Sequence, residues 1–480
     1  MAGIIRTARF KIMEQAVFSS TNTQDNSFMK HLKSFIIIAF IAGGTLLAGA
    51  QATGGLMDAY GSFAFQLMEK AEQHKKDPKG NVVLSPVSAW LALSMLQNGA
   101  ANNTLAQMQQ AMNSSGFSVD DINLFNQKLV KQLSHIEVPE WASSGSESDK
   151  ELIPVLETAN SIWSDTGYPF YDSFYNVNQK YYEAELRTLD LSLPASIKEV
   201  DKWVDGKTHG TIKSVNVDPD DYLRMLLVNA LYFKGSWEKP FEKEATQTGQ
   251  FYNNGSDVIN VPMMHLLETL PYAHIDGYDV LRLYYCYDQR FSMTLFVPDG
   301  SVEQKSLGFS QWQAASMALK NNSIKLSMPR FTTDGETELT DVLKDMGMND
   351  AFISGVADFS LMSSGQLFVD FVKQLSHIAV DEKGTVASAV TVIGVKETAV
   401  PGQSKSISVD HPFYFTIEDN QTGAVLFIGH VLKVDGEYTN GLEKVNAEQS
   451  KAKVYDLQGR RLKSVPQKGL YIYDGKVMGR

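Results

Sequence analysis

Few residues in this chain have the type and spacing to do chemistry, and most of those fail on spacing. Gly206-Lys207-Thr208 looks like the end of a phosphate-binding loop. The glycine required five places earlier is Asp201, and a helical Trp203-Val204 stretch precedes it where a strand is needed. There is no Gly-x-Ser-x-Gly elbow. The nine histidines never form a His-Glu-x-x-His array, so no metal site is indicated. Cys286, in Leu283-Tyr284-Tyr285-Cys286-Tyr287, is the one cysteine. It reads as a packed small residue within a strand, not as a nucleophile. A lone cysteine also excludes an internal disulfide framework and any multi-cysteine zinc or iron–sulfur site. No catalytic residue and no cofactor are assigned on these grounds, and a hydrolase is disfavoured.

The chain has 480 residues, with 43% apolar and 20% charged residues, so most of it is expected to be globular. Length alone suggests two to four domains. The net charge of −12 argues against a general nucleic-acid binder, which needs a basic surface.

Both ends differ from the body. Met29-Lys30-His31-Leu32-Lys33 is a basic start to the apolar run from Phe35 to Leu47, followed by Ala48-Gly49-Ala50-Gln51-Ala52. This is the pattern of a secretory signal cut after Ala50 or Ala52. The alternative is an anchor helix, for which the run is short of the ~20 residues a span needs. Residues 1–52 are therefore expected to be extension and signal, and the mature chain to be exported with no stable membrane span. At the other end, residues 434–480 turn polar and then show strand–turn–strand signals at Val454–Leu462 and Gly469–Val477. They resemble the short C-terminal sorting tails of some secreted and surface proteins of Gram-negative bacteria. The alternative is a small hairpin packed on the body. The expected location is thus secreted, cell-surface or periplasmic, in a bacterium.

Residues 53–433 must position whatever function exists. An amphipathic helix is expected from Gly61, and a buried one from Pro86 to Gln97, with Ser85 as cap and Trp90, Leu91, Leu93, Met95 and Leu96 inside. Met225–Phe233 and Phe291–Val297 read as strands. Helices early and strands late suggest α+β with a large sheet. Lys131-Gln132-Leu133-Ser134-His135-Ile136 recurs at Lys373-Gln374-Leu375-Ser376-His377-Ile378 with no longer period around it, so it is not a repeat architecture.

The segment after Glu382-Lys383-Gly384 is unusual. Thr385-Val386-Ala387-Ser388-Ala389-Val390-Thr391-Val392-Ile393 continues without charge or proline to Val395, in strand-like composition. Gly394 to Ser406 then reads as a polar loop, with Gly394, Pro401 and Gly402 marking it. At ~25 residues this is longer than an ordinary connection. Composition alone favours a buried strand followed by an exposed loop.

Across residues 55–433 the chain resembles the serpin family. Asn81-Val82-Val83-Leu84-Ser85-Pro86-Val87-Ser88 matches the start of its central helix. Trp203-Val204, Thr208, Gly210 and Ile212 match a second element. Asn229-Ala230-Leu231-Tyr232-Phe233-Lys234-Gly235-Ser236-Trp237 with Phe241, Thr246 and Phe251 is the most specific block. Val261-Pro262-Met263-Met264, Met328-Pro329-Arg330-Phe331, Ala357-Asp358-Phe359-Ser360, Glu382-Lys383-Gly384-Thr385, His411-Pro412-Phe413-Tyr414-Phe415 and Leu426-Phe427-Ile428-Gly429 follow in family order.

The resemblance implies three β-sheets clad in helices and an exposed reactive-centre loop. That loop is bait for a serine, or secondarily a cysteine, protease, which would be held as a covalent complex by a monomeric inhibitor. After cleavage the loop inserts as a new strand into the main sheet. An inserting strand buries alternate side chains. If Thr385 enters first, Thr385, Ala387, Ala389, Thr391 and Ile393 face inward, and Val386, Ser388, Val390 and Val392 outward. A charge or proline inward would resist insertion, and neither occurs. Val386 departs from the Glu that many inhibitors carry, at an outward position. Glu382, Gly384, Thr385, Val386, Ala387, Ser388 and Ala389 are thus the expected hinge. Ser85, Pro86, Ser88, Asn229 and Trp237 match the sheet-opening region. Counting Glu382 as first, the seventeenth residue puts the scissile bond at Thr398–Ala399. Lys396–Glu397 is an equal candidate, and Val395–Lys396 a third. The alternative function is a non-inhibitory binding or surface-display protein of the same fold.

Overall fold

The computed structural model describes residues 55–140, 150, 152–300, 306–385 and 404–438. It also describes the backbone of 454–455, 461–462, 470–473 and 476–479. Leu56–Arg480 form one compact unit.

Helix α1 covers residues 55–74. Tyr60, Phe63, Ala64, Leu67, Met68 and Ala71 recur at helical spacing and are all buried. The helix starts upstream of the expected Gly61. Helix α2, Pro86–Gln97, begins on the Ser85 cap, whose side chain accepts from the Ser88 amide, with Pro86 in its first turn. All but one of its residues are buried, as its all-round apolar sequence requires. Trp90 is its anchor, edge-on to Tyr60 and Phe63 at 5.6 Å, with its indole N–H donating to Asn126 Oδ1 at 2.7 Å on helix α3, Val119–Ser134.

Two sheets enclose this core. In the ten-stranded one, Phe291–Pro298, Phe413–Asp419 and Ala424–Val431 are buried at every position. The 19-residue strand Asp257–Ile275 pairs successively with Gln247–Asn253, Lys320–Pro329 and Tyr278–Tyr285. Its three ladders join in one sheet. The charged groups buried here are paired: Arg290 with Asp419 at 3.1 Å, and Arg282 with Glu418 at 2.8 Å.

The six-stranded sheet comprises β1 (Val155–Asp165), β2 (Glu185–Leu189), β3 (Met225–Ser236), β4 (Phe331–Glu338), β5 (Lys373–Asp381) and β6 (Gly384–Thr385). Their order is β4-β5-β6-β3-β1-β2. Its inner face meets the main core through Phe233, Ile378 and Val380. Its outer face carries a second cluster, in which Trp163, Leu226 and Ala230 pack against Ile197, Val200, Trp203 and Val204 of α4, Pro194–Lys207. The C-terminal signals form a separate four-stranded antiparallel sheet of Val454–Tyr455, Arg461–Leu462, Leu470–Tyr473 and Lys476–Gly479.

One local expectation changes. Cys286 lies just past the strand ending at Tyr285, in a turn at φ +58°, and not within the strand. The near-repeat has two structures: Lys131–Ser134 ends α3, whereas Lys373–Ile378 lies wholly in β5.

Candidate functional site

The hinge turn joins β5 to β6. Asp381 Oδ1 accepts from the amides of Lys383 at 2.9 Å and Gly384 at 3.2 Å, closing the turn with its own carboxylate. Gly384 then pairs with Asp381 and Ser236, and Thr385 with Val380 and Gly235, so β6 is hydrogen-bonded on both edges. Gly384 is required by close approach: a Cβ there would sit 2.0 Å from the Gly235 carbonyl oxygen.

Glu382 is 5% exposed. It accepts from Arg330 at 2.6 Å and from the Thr246 hydroxyl at 2.7 Å, and its carbonyl accepts from the Phe241 amide at 2.9 Å. Burial pushes its carboxyl upward, but the Arg330 guanidinium and Thr246 hydroxyl outweigh this and hold it below the usual glutamate range. Trp237 closes the turn from the side. Its amide donates to the Lys383 carbonyl at 2.7 Å and its indole N–H to the Asp381 carbonyl at 2.9 Å. Its ring stacks on Tyr285 at 4.3 Å. Thr385 is fully buried, with its hydroxyl 2.6 Å from the Tyr285 hydroxyl.

A second group lies farther along the inner face. Gln374 of β5 grips the Ser85 peptide: its Oε1 accepts from Ser85 N–H at 3.0 Å and its Nε2 donates to Ser85 O at 2.8 Å. Ser85 and Ser88 share a hydroxyl bond of 3.0 Å beside Pro86, which opens α2. Asn229 of β3 donates to Asn160 Oδ1 at 2.8 Å. Asn229 Oδ1 and Ser376 Oγ are buried without a hydrogen-bond partner among the described residues. In the sheet, β5 and β3 are connected through β6, and no ladder between their facing edges occurs among the described residues.

Glu382, Gly384, Thr385 and Trp237 therefore converge at one end of the sheet, and Ser85, Pro86, Ser88 and Asn229 at its inner face. Val386, Ala387, Ser388, Ala389, Val395, Lys396, Glu397, Thr398 and Ala399 lie outside the described residues. Four site residues went unassigned from sequence: Arg330, Thr246, Tyr285 and Gln374. The first two sit inside recognisable blocks. Gln374 had a signal of its own, since Gln374 and Ser376 are polar at the inward positions of an alternating strand. Tyr285 had no signal.

Among the described residues no cluster of His, Cys, Asp or Glu could hold a metal, and no helix is long and apolar enough to cross a membrane. A fold whose main sheet holds the first residues of a long segment at a buried hinge defines a class. The family model described as Serpin (serine protease inhibitor) matches residues 58–434, and the chain belongs to that family. It is similar to Serpin B6 of Macaca fascicularis, 32% identical over 391 residues, covering 78% of this chain and 98% of that protein. It is also similar to the leukocyte elastase inhibitor of Equus caballus, 31% identical over 374 residues, covering 74% and 94% respectively. Among solved structures, the thermophilic serpin tengpin in its native state matches with a TM-score of 0.69 and 28% identity, over 79% of this chain and 94% of that one. At family level the chain is a protease inhibitor.

Proposed function

We propose that this chain is an irreversible, suicide-type inhibitor of endopeptidases, chiefly serine and secondarily cysteine proteases. The observation that carries the reading is Thr385. It is laddered between β5 and β3, and ten residues without charge or proline follow it. The target's nucleophile attacks the carbonyl carbon of the scissile residue. The peptide C–N bond breaks, the new amine takes up a proton, and an acyl ester or thioester joins loop to protease. Water would then hydrolyse it. Insertion competes by carrying the acyl bond away from the target's catalytic geometry.

In the register of Thr385, insertion brings Ala387 between Phe233 and Ile378. Ala389 falls between Leu231 and Ser376, and Thr391 between Asn229 and Gln374. Small side chains meet apolar or small neighbours, and the inward threonine meets two amides. The scissile candidates remain Thr398–Ala399 and Lys396–Glu397, then Val395–Lys396. Residues 1–52 serve export, and the C-terminal sheet directs secretion or surface attachment of a monomeric bacterial inhibitor.

The test is incubation with trypsin-, elastase-, subtilisin- and papain-like proteases, followed by denaturing gels. A band of summed mass that survives denaturation is expected, with a released C-terminal peptide that identifies the bond. Clean loop cleavage with full protease activity throughout would leave the non-inhibitory binding protein as the correct reading.

A further inference from the structure

Insertion has a parity problem. A strand that slips by one residue presents its outward set to the core. The backbone of β6 resists a slip only at the slot of Gly384, where the Gly235 carbonyl leaves no room for a Cβ, and its ladder hydrogen bonds are the same for any residue with an amide. A side chain that recognises the first inserted residue would add discrimination at the slot of Thr385.

Tyr285 has that geometry. It ends the strand Tyr278–Tyr285, and its backbone bridges Trp237. Its ring is fixed on several sides: stacked on Trp237 at 4.3 Å, and edge-on to Phe233 at 5.1 Å and 73°. It lies so close to Gly235 that a Cβ there would come within 2.9 Å of its Cδ1. The turn at Cys286, whose amide donates to the Ser236 carbonyl at 2.7 Å, ties the end of its strand to β3. The ring has nowhere to swing. Its hydroxyl is buried and points at Thr385 Oγ1, 2.6 Å away.

We propose that Tyr285 is a positioning residue that keys the insertion register: its fixed hydroxyl selects Thr385 as the first inward residue of the loop. This rests on the inhibitory reading above and adds a determinant to it. A slip of one residue in either direction would offer Gly384 or Val386 to the phenol, and a slip of two would offer Ala387. None of these carries a hydroxyl, so each of these slipped registers buries the Tyr285 hydroxyl unpaired. Burial also raises the phenol's pKa, which keeps it neutral as the partner of a neutral hydroxyl.

The test compares the full chain with Tyr285→Phe, which removes only the hydroxyl, with Thr385→Val, which keeps the branched shape, and with the double variant. Two readouts are taken. The first is amide hydrogen exchange of the peptide spanning the hinge turn and β6 in the uncut chain, with a peptide from Phe291–Pro298 as the global control. Each single variant is expected to speed hinge exchange about tenfold without moving the control, the scale of one buried hydroxyl pair. The double variant should be no faster than either single. Thr385→Ser, which keeps the hydroxyl, should return exchange to within about twofold of the parent. The second readout is the number of inhibitor molecules consumed per protease trapped, expected to rise about three- to tenfold in the variants as mis-registered insertion loses to hydrolysis.

Unchanged hinge exchange in Tyr285→Phe, or fully additive effects in the double variant, overturns the proposal. So does faster exchange with an unchanged consumption ratio, because Tyr285 would then anchor the hinge without guiding insertion. If the parent traps no protease, the inhibitory reading falls, and the proposal falls with it.

Discussion

Arginine placed at successive loop positions should alternate in effect with a period of two. Thr385 is fully buried, and the neighbouring Gly235 already lacks room for a Cβ against Tyr285. Thr385→Arg therefore forces a guanidinium among aromatic rings or unzips β6. Losing the hydroxyl pair costs about 1 kcal/mol. An uncompensated buried charge costs about 3–5 kcal/mol more. At about 1.4 kcal/mol per tenfold, the trapped fraction should fall by roughly a thousand- to ten-thousandfold in favour of simple cleavage. Ala387→Arg should behave alike, because insertion brings it between Phe233 and Ile378, both buried.

Ser388→Arg is the control. Its ladder neighbours would be Tyr232 and His377 on the outer face, and His377 is paired with Asp334 at 2.5 Å. A guanidinium added beside that exposed pair should change stability by only about 0.5 kcal/mol. The assay is titration of a protease that forms a covalent complex with the parent, scored on denaturing gels, with melting of each uncut variant as the folding control. If Ser388→Arg abolishes trapping while Ala387→Arg retains it, the register is off by one. If Thr385→Arg and Ala387→Arg both trap like the parent, the loop does not insert and the mechanism is wrong.

Acid should loosen the hinge through Glu382. A carboxyl held low in the folded state stabilises fully above its unfolded value, about 4.3. That contribution is lost as pH falls through the folded value. Glu382→Gln should flatten the acid limb of melting temperature against pH, and an unchanged limb would show that the carboxylate is not the titrating group. Gly384→Ala must move the Gly235 carbonyl and should cost ~1–3 kcal/mol, read as a lower denaturant midpoint at unchanged slope. Cys286 is 1% exposed, and burial pushes its thiol up to about 12, so it should resist thiol reagents at pH 8 until the chain is unfolded. Rapid labelling of the folded chain would show that the turn opens.

How far the sequence could be read depended on where each residue's environment came from. Helix α2 was legible because its cap, its proline and its apolar residues are all local. The hinge Glu382-Lys383-Gly384-Thr385 was legible only through its resemblance to the family motif. Its supports were not. Arg330, Thr246, Tyr285 and Gln374 lie 52, 136, 100 and 289 residues from the partners they hold. No local pattern encodes such a meeting. The near-repeat makes the same point within one hexapeptide. Lys-Gln-Leu-Ser ends a helix at 131–134, capped by Arg290 donating to the carbonyls of Gln132 and His135. At 373–376 it is a strand, held at Gln374 by Ser85. Tertiary partners decided between two conformations of the same residues. Cys286 was misplaced because nothing in Tyr-Cys-Tyr announces a left-handed turn.

The polar residues under the sheet fit the proposed insertion of a further strand. Burying an oxygen without a donor costs about 1–3 kcal/mol. Asn229 Oδ1 and Ser376 Oγ nevertheless face the inner side of β3 and β5 with no partner among the described residues. A sheet evolved for one closed state would do better with apolar side chains there, as Phe233 and Ile378 provide nearer the hinge. Extended from Thr385, the register brings Ala389 to the level of Ser376, and Thr391 to the level of Asn229 and Gln374. The polar rungs would thus coincide with an inward alanine and with the inward hydroxyl of the inserting strand. Unmet hydrogen-bonding capacity in the uncut chain and a hydroxyl held in the loop are then two halves of one arrangement. The free energy released when they meet would help drive insertion against hydrolysis of the acyl bond.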